Sequence, residues 1–323
     1  MLLLKNLLMY TLERKFVANI LITGGAGFIG TALAIRLKHL NHNVTIVDLD
    51  KKFIPIHNNF VKYSLDIRDC ENFKKIENLK IDYIFHLAAQ TASIISQENP
   101  TLDVDTNVKG TLNICNYARK CGAKKIIFTS SMATYGNING KIKETDMQTP
   151  LSNYGVSKIA GEYYIKMFNQ FGIKNTIFRL FNVYGPGQDM SNLKQGMASI
   201  FMAQSIISNE IKVTGSFDRY RDFIYIDDVV DSLVLGLNGT TDGQIYNVGS
   251  GKATTVKEII NLIIELNDKP KNQFRIINIG SHEGDQFGSI ADISKLKKLG
   301  WIPKMDLKSG LEKMYMYAKE ILA

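Results

Sequence analysis

Cysteine is scarce in this chain of 323 residues, where Cys70, Cys115 and Cys121 are the only three. None is spaced as CxxC or grouped with histidines at metal-ligand intervals, so neither a disulfide framework nor a zinc site is expected. No metal is predicted, and unpaired thiols imply a reducing cytoplasm. Long apolar runs are also missing. The opening MLLLKNLLMY is broken by Lys5 and Asn6 and falls short of the ~18 to 20 residues that a membrane span requires. It lacks a small-x-small cleavage site. Residues 1–18 are therefore predicted to be an N-terminal extension, either a short docking helix or the product of an upstream start with Met9 as the alternative. No membrane partner is expected. The net charge is +8, yet the lysines are interleaved with acids and no run of five or six cations occurs. Without a basic stripe carrying aromatics, nucleic acid is not an expected partner. The excess charge reads as a solvated lysine-rich surface, with some left to attract a diphosphate.

What is present is an ordinary globular composition, 45% apolar and 22% charged. From Asn19 to Phe181, short β-branched runs alternate with helical periodicity. Strands are predicted at NILIT (19–23), NVTIVD (43–48), FVKYSL (60–65), YIFHLA (83–88), KIIFTS (125–130) and NTIFRLF (175–181). Helices fill the gaps, notably Leu102 to Cys121 and Tyr154 to Phe171. Strands apolar throughout and joined by crossover helices imply an α/β fold, a doubly wound parallel sheet of Rossmann type covered on both faces. After Tyr184-Gly-Pro-Gly the alternation stops. Helices near 195–209, 226–237, 256–267 and 306–321, and a strand around IKVTG, suggest a smaller C-terminal α/β lobe. We expect a dinucleotide-binding domain over 19–181 with return segments near 224–250, and a substrate lobe made mainly from 182–323. Tyr246-Asn-Val-Gly is predicted to cross back toward the first lobe.

Thr23-Gly24-Gly25-Ala26-Gly27-Phe28-Ile29-Gly30 follows the first strand and opens a helix. Gly24 permits the tight turn, Gly27 lets backbone approach a pyrophosphate, and Gly30 lets helix and strand pack closely. The diphosphate then meets the positive end of the helix. Asp48 ends the second strand eighteen residues past Gly30. A carboxylate there accepts from ribose hydroxyls and repels a 2′-phosphate, which favours NAD over NADP.

Nine segments, the glycine turn among them, occur in an order that resembles the extended short-chain dehydrogenase/reductase family, notably the NAD-dependent nucleotide-sugar epimerases and, within them, UDP-glucose (UDP-galactose) 4-epimerases. They are TGGAGFIG, DIRD (66–69), HLAAQ (86–90), NVKGT (107–111), SSMATYG (130–136), YGVSK (154–158), RLFNVYGPG (179–187), RDFIYIDDVV (221–230) and the GD…AD stretch (284–292). The likeness runs from about Asn19 to Trp301. It implies that Asp66 and Ile67 hold the adenine, that Leu87, Ala88, Ala89 and Thr91 line the dinucleotide, and that Asn107 supports the helix and strand behind the site.

Tyr154 and Lys158 are four apart at the start of a helix and share one face. A tyrosine works as a base near neutrality only if its pKa of ~10 falls by about three units, roughly 4 kcal/mol. One cation about 4 Å away at an effective dielectric of 20 supplies on the order of 4 kcal/mol, so Lys158 is expected to do the lowering. Ser131, at the end of its strand, stands where the family carries a catalytic hydroxyl; Ser130 is the competing assignment. The next two positions are Met132 and Ala133 rather than the acidic pair of the related dehydratases, so elimination of water is disfavoured. The scheme that remains is oxidation at C4, with Tyr154 taking the hydroxyl proton as a hydride passes to NAD, then rotation of the 4-keto sugar and reduction on its other face.

By resemblance, Asn182 and Arg221 contact the substrate diphosphate, the backbone near Ile211 to Val213 meets the base, and Asp285 belongs to the same site. The family's second arginine is replaced here by His282. Ser289 borders the sugar, where a small residue admits N-acetylated hexoses. A nucleotide-diphosphate sugar, most simply a UDP-hexose, is the expected ligand. A homodimer is expected through the helices at 102–121 and 154–171, whose apolar positions include Val104, Val108, Ile114, Tyr163, Tyr164, Met167 and Phe168. An epimerase of another nucleotide sugar (a UDP-uronate or a CDP-sugar), a nucleotide-keto-sugar reductase and an NAD-sensing regulatory protein are the other readings the motifs permit.

Overall fold

The computed structural model describes residues 16–49, 52–194, 196–280 and 287–322. Residues 1–15, His282 and Asp285 lie outside them.

Seven parallel strands form the central sheet: β1 (Asn19–Thr23), β2 (Asn43–Asp48), β3 (Val61–Ser64), β4 (Tyr83–His86), β5 (Lys125–Ser131), β6 (Lys174–Leu180) and β7 (Gln244–Val248), in the order β7-β6-β5-β4-β1-β2-β3. The apolar runs of the inner strands follow from burial on both faces, while β3 (VKYS) at the edge is largely exposed. Ile20, Ile22, Ile127 and Phe178 point into one core, while Leu21, Ile126, Phe128 and Ile177 point into the other. That alternation is the two-residue period of a strand.

The crossover helices are α1 (Phe28–His39), α2 (Gly110–Cys121) and α3 (Asn153–Met167). Beyond β6 come α4 (Met197–Ile207), α5 (Ile226–Val234), α6 (Val256–Leu266) and α7 (Leu307–Leu322). A capping box starts α6, with Glu258 N–H on Thr255 Oγ1 at 3.1 Å and Thr255 N–H on Glu258 Oε2 at 2.7 Å. Short parallel pairs, Asn182–Tyr184 with Phe223–Tyr225 and Glu210–Val213 with Arg275–Asn278, extend the second half. No helix of the described residues is long and apolar enough to cross a membrane.

Two elements depart from the sequence reading. The helix expected from Leu102 to Cys121 is a short turn at Pro100–Asp103, a π-helical segment at Val104–Lys109, and then α2. The wider π turn carries Asn107 inward, a placement common at functional sites. A further helix, Ser93–Glu98, has too few periodic positions to announce itself. The chain crosses from β1 outward to β2 and β3, then back to β4 and β5. Between β1 and β4 the winding reverses, and a crevice opens at the carboxyl ends of the strands.

Candidate active site

A cleft of about 760 Å³ occupies that crevice. Its wall includes Gly24, Gly27, Phe28, Ile29 and Gly30 from the first turn, and Asp48 from the end of β2. Gly24 is left-handed (φ +69°), and a Cβ there would stand 2.7 Å from Ala88 N. A Cβ on Gly30 would strike the Gly24 carbonyl. The close approach of loop, α1 and β4 therefore needs hydrogen at both positions. Asp48 accepts from Ala26 N–H at 3.0 Å and Leu49 N–H at 2.8 Å. Burial pushes its carboxyl up, against those two bonds.

Asp66, Ile67, Leu87, Ala88, Ala89 and Thr91 line the next stretch. Arg68 forks onto Asp66 with Nη2 at 2.6 Å and Nε at 2.9 Å, holding that carboxyl below its usual range. Ile67 is fixed by its carbonyl, which accepts from Asn113 Nδ2 at 2.8 Å. Asn107 stands behind the wall, only 2% exposed. It clamps Gln90 in both directions, accepting from its N–H at 2.8 Å and donating to its carbonyl at 2.9 Å, and also donates to Ser157 Oγ on α3 at 2.9 Å. His86 bridges Thr23 Oγ1 (2.7 Å) and Thr111 Oγ1 (3.0 Å). Because Thr111 spends its proton on Asn107 O (2.6 Å), it accepts from His86 Nε2–H, which leaves Nδ1 to accept from Thr23. Burial, with Lys158 nearby, pushes this imidazole down to about 3. It is a neutral strut.

At the far end stand Ser131, Met132, Tyr154 and Lys158. Ser152 caps α3 by accepting from Gly155 N–H at 3.1 Å, and the Tyr154 N–H donates to Ser96 Oγ at 3.2 Å. Tyr154 and Lys158 then project from adjacent turns of the same face. The two candidate serines separate cleanly. Both line the cleft, but Ser130 Oγ donates to Glu162 Oε1 at 2.6 Å, whereas the Ser131 hydroxyl accepts from Ala133 N–H at 3.2 Å and acts on the Tyr154 phenol. Burial pushes the Tyr154 phenol up to about 12, the Ser131 hydroxyl pulls it down, and Asp103 pushes it up. The Lys158 ammonium sits 4.6 Å from the Phe128 ring centroid, and burial pushes it down to about 8 against Glu162 and Asp103. Glu162 is tied to β6 by Arg179, with Nε at 2.9 Å and Nη2 at 2.7 Å.

The substrate positions divide. Asn182 lines the cleft, its Nδ2 donating to Asp222 O at 3.2 Å and lying 3.5 Å from Met132 Sδ. Ser289 is 1% exposed and lies behind Met132, its hydroxyl 3.8 Å from the thioether sulfur. It is not among the residues that line the cleft, so Met132 is the surface there. Ile211 and Val213 are buried in the neighbouring core. Arg221 donates to the carbonyls of Tyr220 (2.9 Å) and Phe287 (3.3 Å), and burial pushes its guanidinium down to about 10. Gln188 and the first residues of α4, Met197 and Ala198, line the cleft as well. Glycine spacing carried no signal for them, although the apolar run after Gly196 marks a helix start that could have.

Residues 20–249 match the NAD dependent epimerase/dehydratase family. This chain belongs to that family. The UDP-glucose 4-epimerase of Mycolicibacterium smegmatis is 32% identical over 309 residues, 91% of this chain and 96% of that protein. The crystal structure of UDP-glucose 4-epimerase with UDP-glucose from Thermotoga maritima superposes with a TM-score of 0.85 at 34% identity, over 94% of this chain and all of that one. The UDP-N-acetylglucosamine 4-epimerase of Methanobrevibacter ruminantium, in complex with UDP-N-acetylmuramic acid, gives 0.85 at 28% identity, over 94% and 99%. The family cofactor is NAD, and the chain is an NAD-dependent enzyme of the sugar-nucleotide epimerase class. The glycine cradle, which a Cβ at Gly24 or Gly30 would fill, fits a dinucleotide diphosphate, and Asp48 fits an adenosine ribose.

Proposed function

We propose that this enzyme is a 4-epimerase of UDP-hexoses, interconverting the glucose and galactose forms and accepting N-acetylated hexoses too. The observation that carries the reading is that Ser131, Tyr154 and Lys158 line one cleft, with Met132 and Ala133 following Ser131 where an acid would serve elimination. Gly24, Gly27, Gly30, Asp48, Asp66 and Ile67 would hold NAD, which when bound supplies a reversible hydride acceptor. Tyr154 takes the proton from the C4 hydroxyl and gives it back to the same oxygen once the keto sugar has turned to offer the other face of C4. Ser131 bonds the same sugar oxygen, stabilising charge that develops on it. Lys158, still mostly protonated at neutral pH, anchors the ribose side and favours the phenolate. Asn182, Arg221 and the start of α4 grip the diphosphate, which leaves the sugar free to turn. Inversion requires that freedom.

We further propose a homodimer through α3 and the segment before α2. Tyr163 (65% exposed), Val156 (55%), Val104 (52%) and Met167 (46%) present a contiguous apolar face. Ile114 and Phe168, expected on that face, pack inward instead. The free thiols fit a reducing compartment, and we place the enzyme in the cytoplasm.

The test is purified protein incubated with UDP-, CDP-, GDP- and dTDP-sugars, the products being resolved by chromatography. Galactose- and glucose-form exchange on UDP, with NAD retained and no external reductant consumed, is expected. Turnover of a uronate or a CDP-sugar alone would replace this reading. Tyr154→Phe should retain NAD and lose about 10² to 10⁴ in kcat; an unchanged kcat removes the acid–base assignment.

A further inference from the structure

Asp103 is a carboxylate with no part in the scheme above. It is fully buried, at the end of the Pro100–Asp103 turn where the π segment begins. Its Oδ1 accepts from Gln90 Nε2 at 2.7 Å and from Asn107 Nδ2 at 3.3 Å. Its Oδ2 has no hydrogen-bond partner among the described residues. Both donors are neutral amides. An asparagine would make the same two contacts through its carbonyl and avoid burying a charge, which is costly when unpaired. The scaffold therefore does not explain why this side chain is an acid.

We infer that Asp103 is a positioning residue whose buried negative charge sets the pH range in which Tyr154 and Lys158 work. It is tied to them physically, because Asn107 bonds both Asp103 and Ser157, one turn along α3 from Tyr154. Among the groups around the pair, Glu162 is the larger influence favouring the Lys158 ammonium, and Asp103 is the anion that bears on both Tyr154 and Lys158. Glu162, below Lys158 on α3, is forked by Arg179 from β6, with Lys166 3.8 Å away. His86 on β4 is neutral, and Ser131 on β5 carries no charge. The charge of Asp103 opposes the Tyr154 phenolate and favours the Lys158 ammonium, and both groups are pushed up by it.

Asp103→Asn keeps the acceptor contacts and removes the charge. The bell-shaped dependence of kcat/KM on pH should then move bodily, both limbs shifting to lower pH by about one unit, as expected for one charge several ångströms away at an effective dielectric near 20. Asp103→Glu, which keeps the charge and disturbs the packing, should lower the rate and leave the limbs in place. Superimposable limbs for Asp103→Asn, or an equal shift for Asp103→Glu, would overturn the inference. It rests on Tyr154 as the acid–base group. A second readout needs no substrate: the ultraviolet titration of the Tyr154 phenolate in the holoenzyme, taken as the difference from Tyr154→Phe in each background, should move to lower pH with Asp103→Asn. A shift there with no turnover of any nucleotide sugar sinks the proposed activity and keeps this inference. Turnover with an unmoved phenolate does the reverse.

Discussion

Tyr154 meets a harder requirement than its spacing to Lys158 suggests. Burial raises its phenol to about 12, so reaching neutrality asks for about five units, roughly 7 kcal/mol, rather than three. Ser131 and Lys158 must act together with the positive ring of the bound cofactor. In the proposed chemistry Lys158 should set the alkaline limit. Its pKa of about 8 lies below that of a free lysine, so its charge is present below pH 8 and lost above it, and activity should fall on that limb. Lys158→Arg, which keeps its charge at any accessible pH, should abolish the limb near pH 8 while lowering the maximum rate, as a pH–rate profile would record. Met132 is the other residue whose role changed on folding. Because its thioether covers Ser289, Met132→Ala should raise kcat/KM for UDP-N-acetylglucosamine relative to UDP-glucose by about tenfold, the scale that a few methylenes produce in a pocket. An unchanged ratio of the two would show that Met132 does not border the sugar.

The catalytic face of α3 owes its position to what lies behind it. Burial works against the Glu162 anion, and the Arg179 fork outweighs it, holding that carboxyl below its usual range. A carboxyl depressed on folding lends stability above its unfolded value and loses it as pH falls through the folded one. Breaking one partner of such a pair costs about 3 to 5 kcal/mol, whereas replacing both with apolar residues of similar volume is often neutral. Glu162→Gln should therefore lower stability to urea by about that amount, and Glu162→Leu with Arg179→Met should recover most of it. If the double variant were as weak as the single, the pair would be doing more than joining α3 to β6. Ser130 accounts for part of this coupling, since it spends its hydroxyl on Glu162. A dipeptide of two serines cannot say which hydroxyl is already committed; the folded chain engages Ser130 Oγ with Glu162.

Across the whole molecule, the two apolar cores lock the sheet between its helices, and α3 with the π segment leaves Val104, Val156, Tyr163 and Met167 exposed. Tyr163→Glu, at a position 65% exposed, should turn the proposed dimer into a monomer without lowering the melting temperature of the isolated subunit. Sedimentation or light scattering would read it, and a monomeric parent protein would dispose of the interface.

The strand positions, the NAD cofactor and the sharing of one helix face by Tyr154 and Lys158 were legible in the residue order, because each depends on short-range spacing: a two-residue pleat, a glycine turn, or one turn of helix. Asp103, Gln90, the Glu162–Arg179 pair and the covering of Ser289 by Met132 were not. Apart from the Asp103–Asn107 contact, they join residues from 13 to 157 positions apart, and only the packing of α3 against β5, β6 and the π turn brings them together. Local periodicity determines which elements form, while burial and pairing across the folded chain decide what charge each side chain carries and which atom it offers to the cleft.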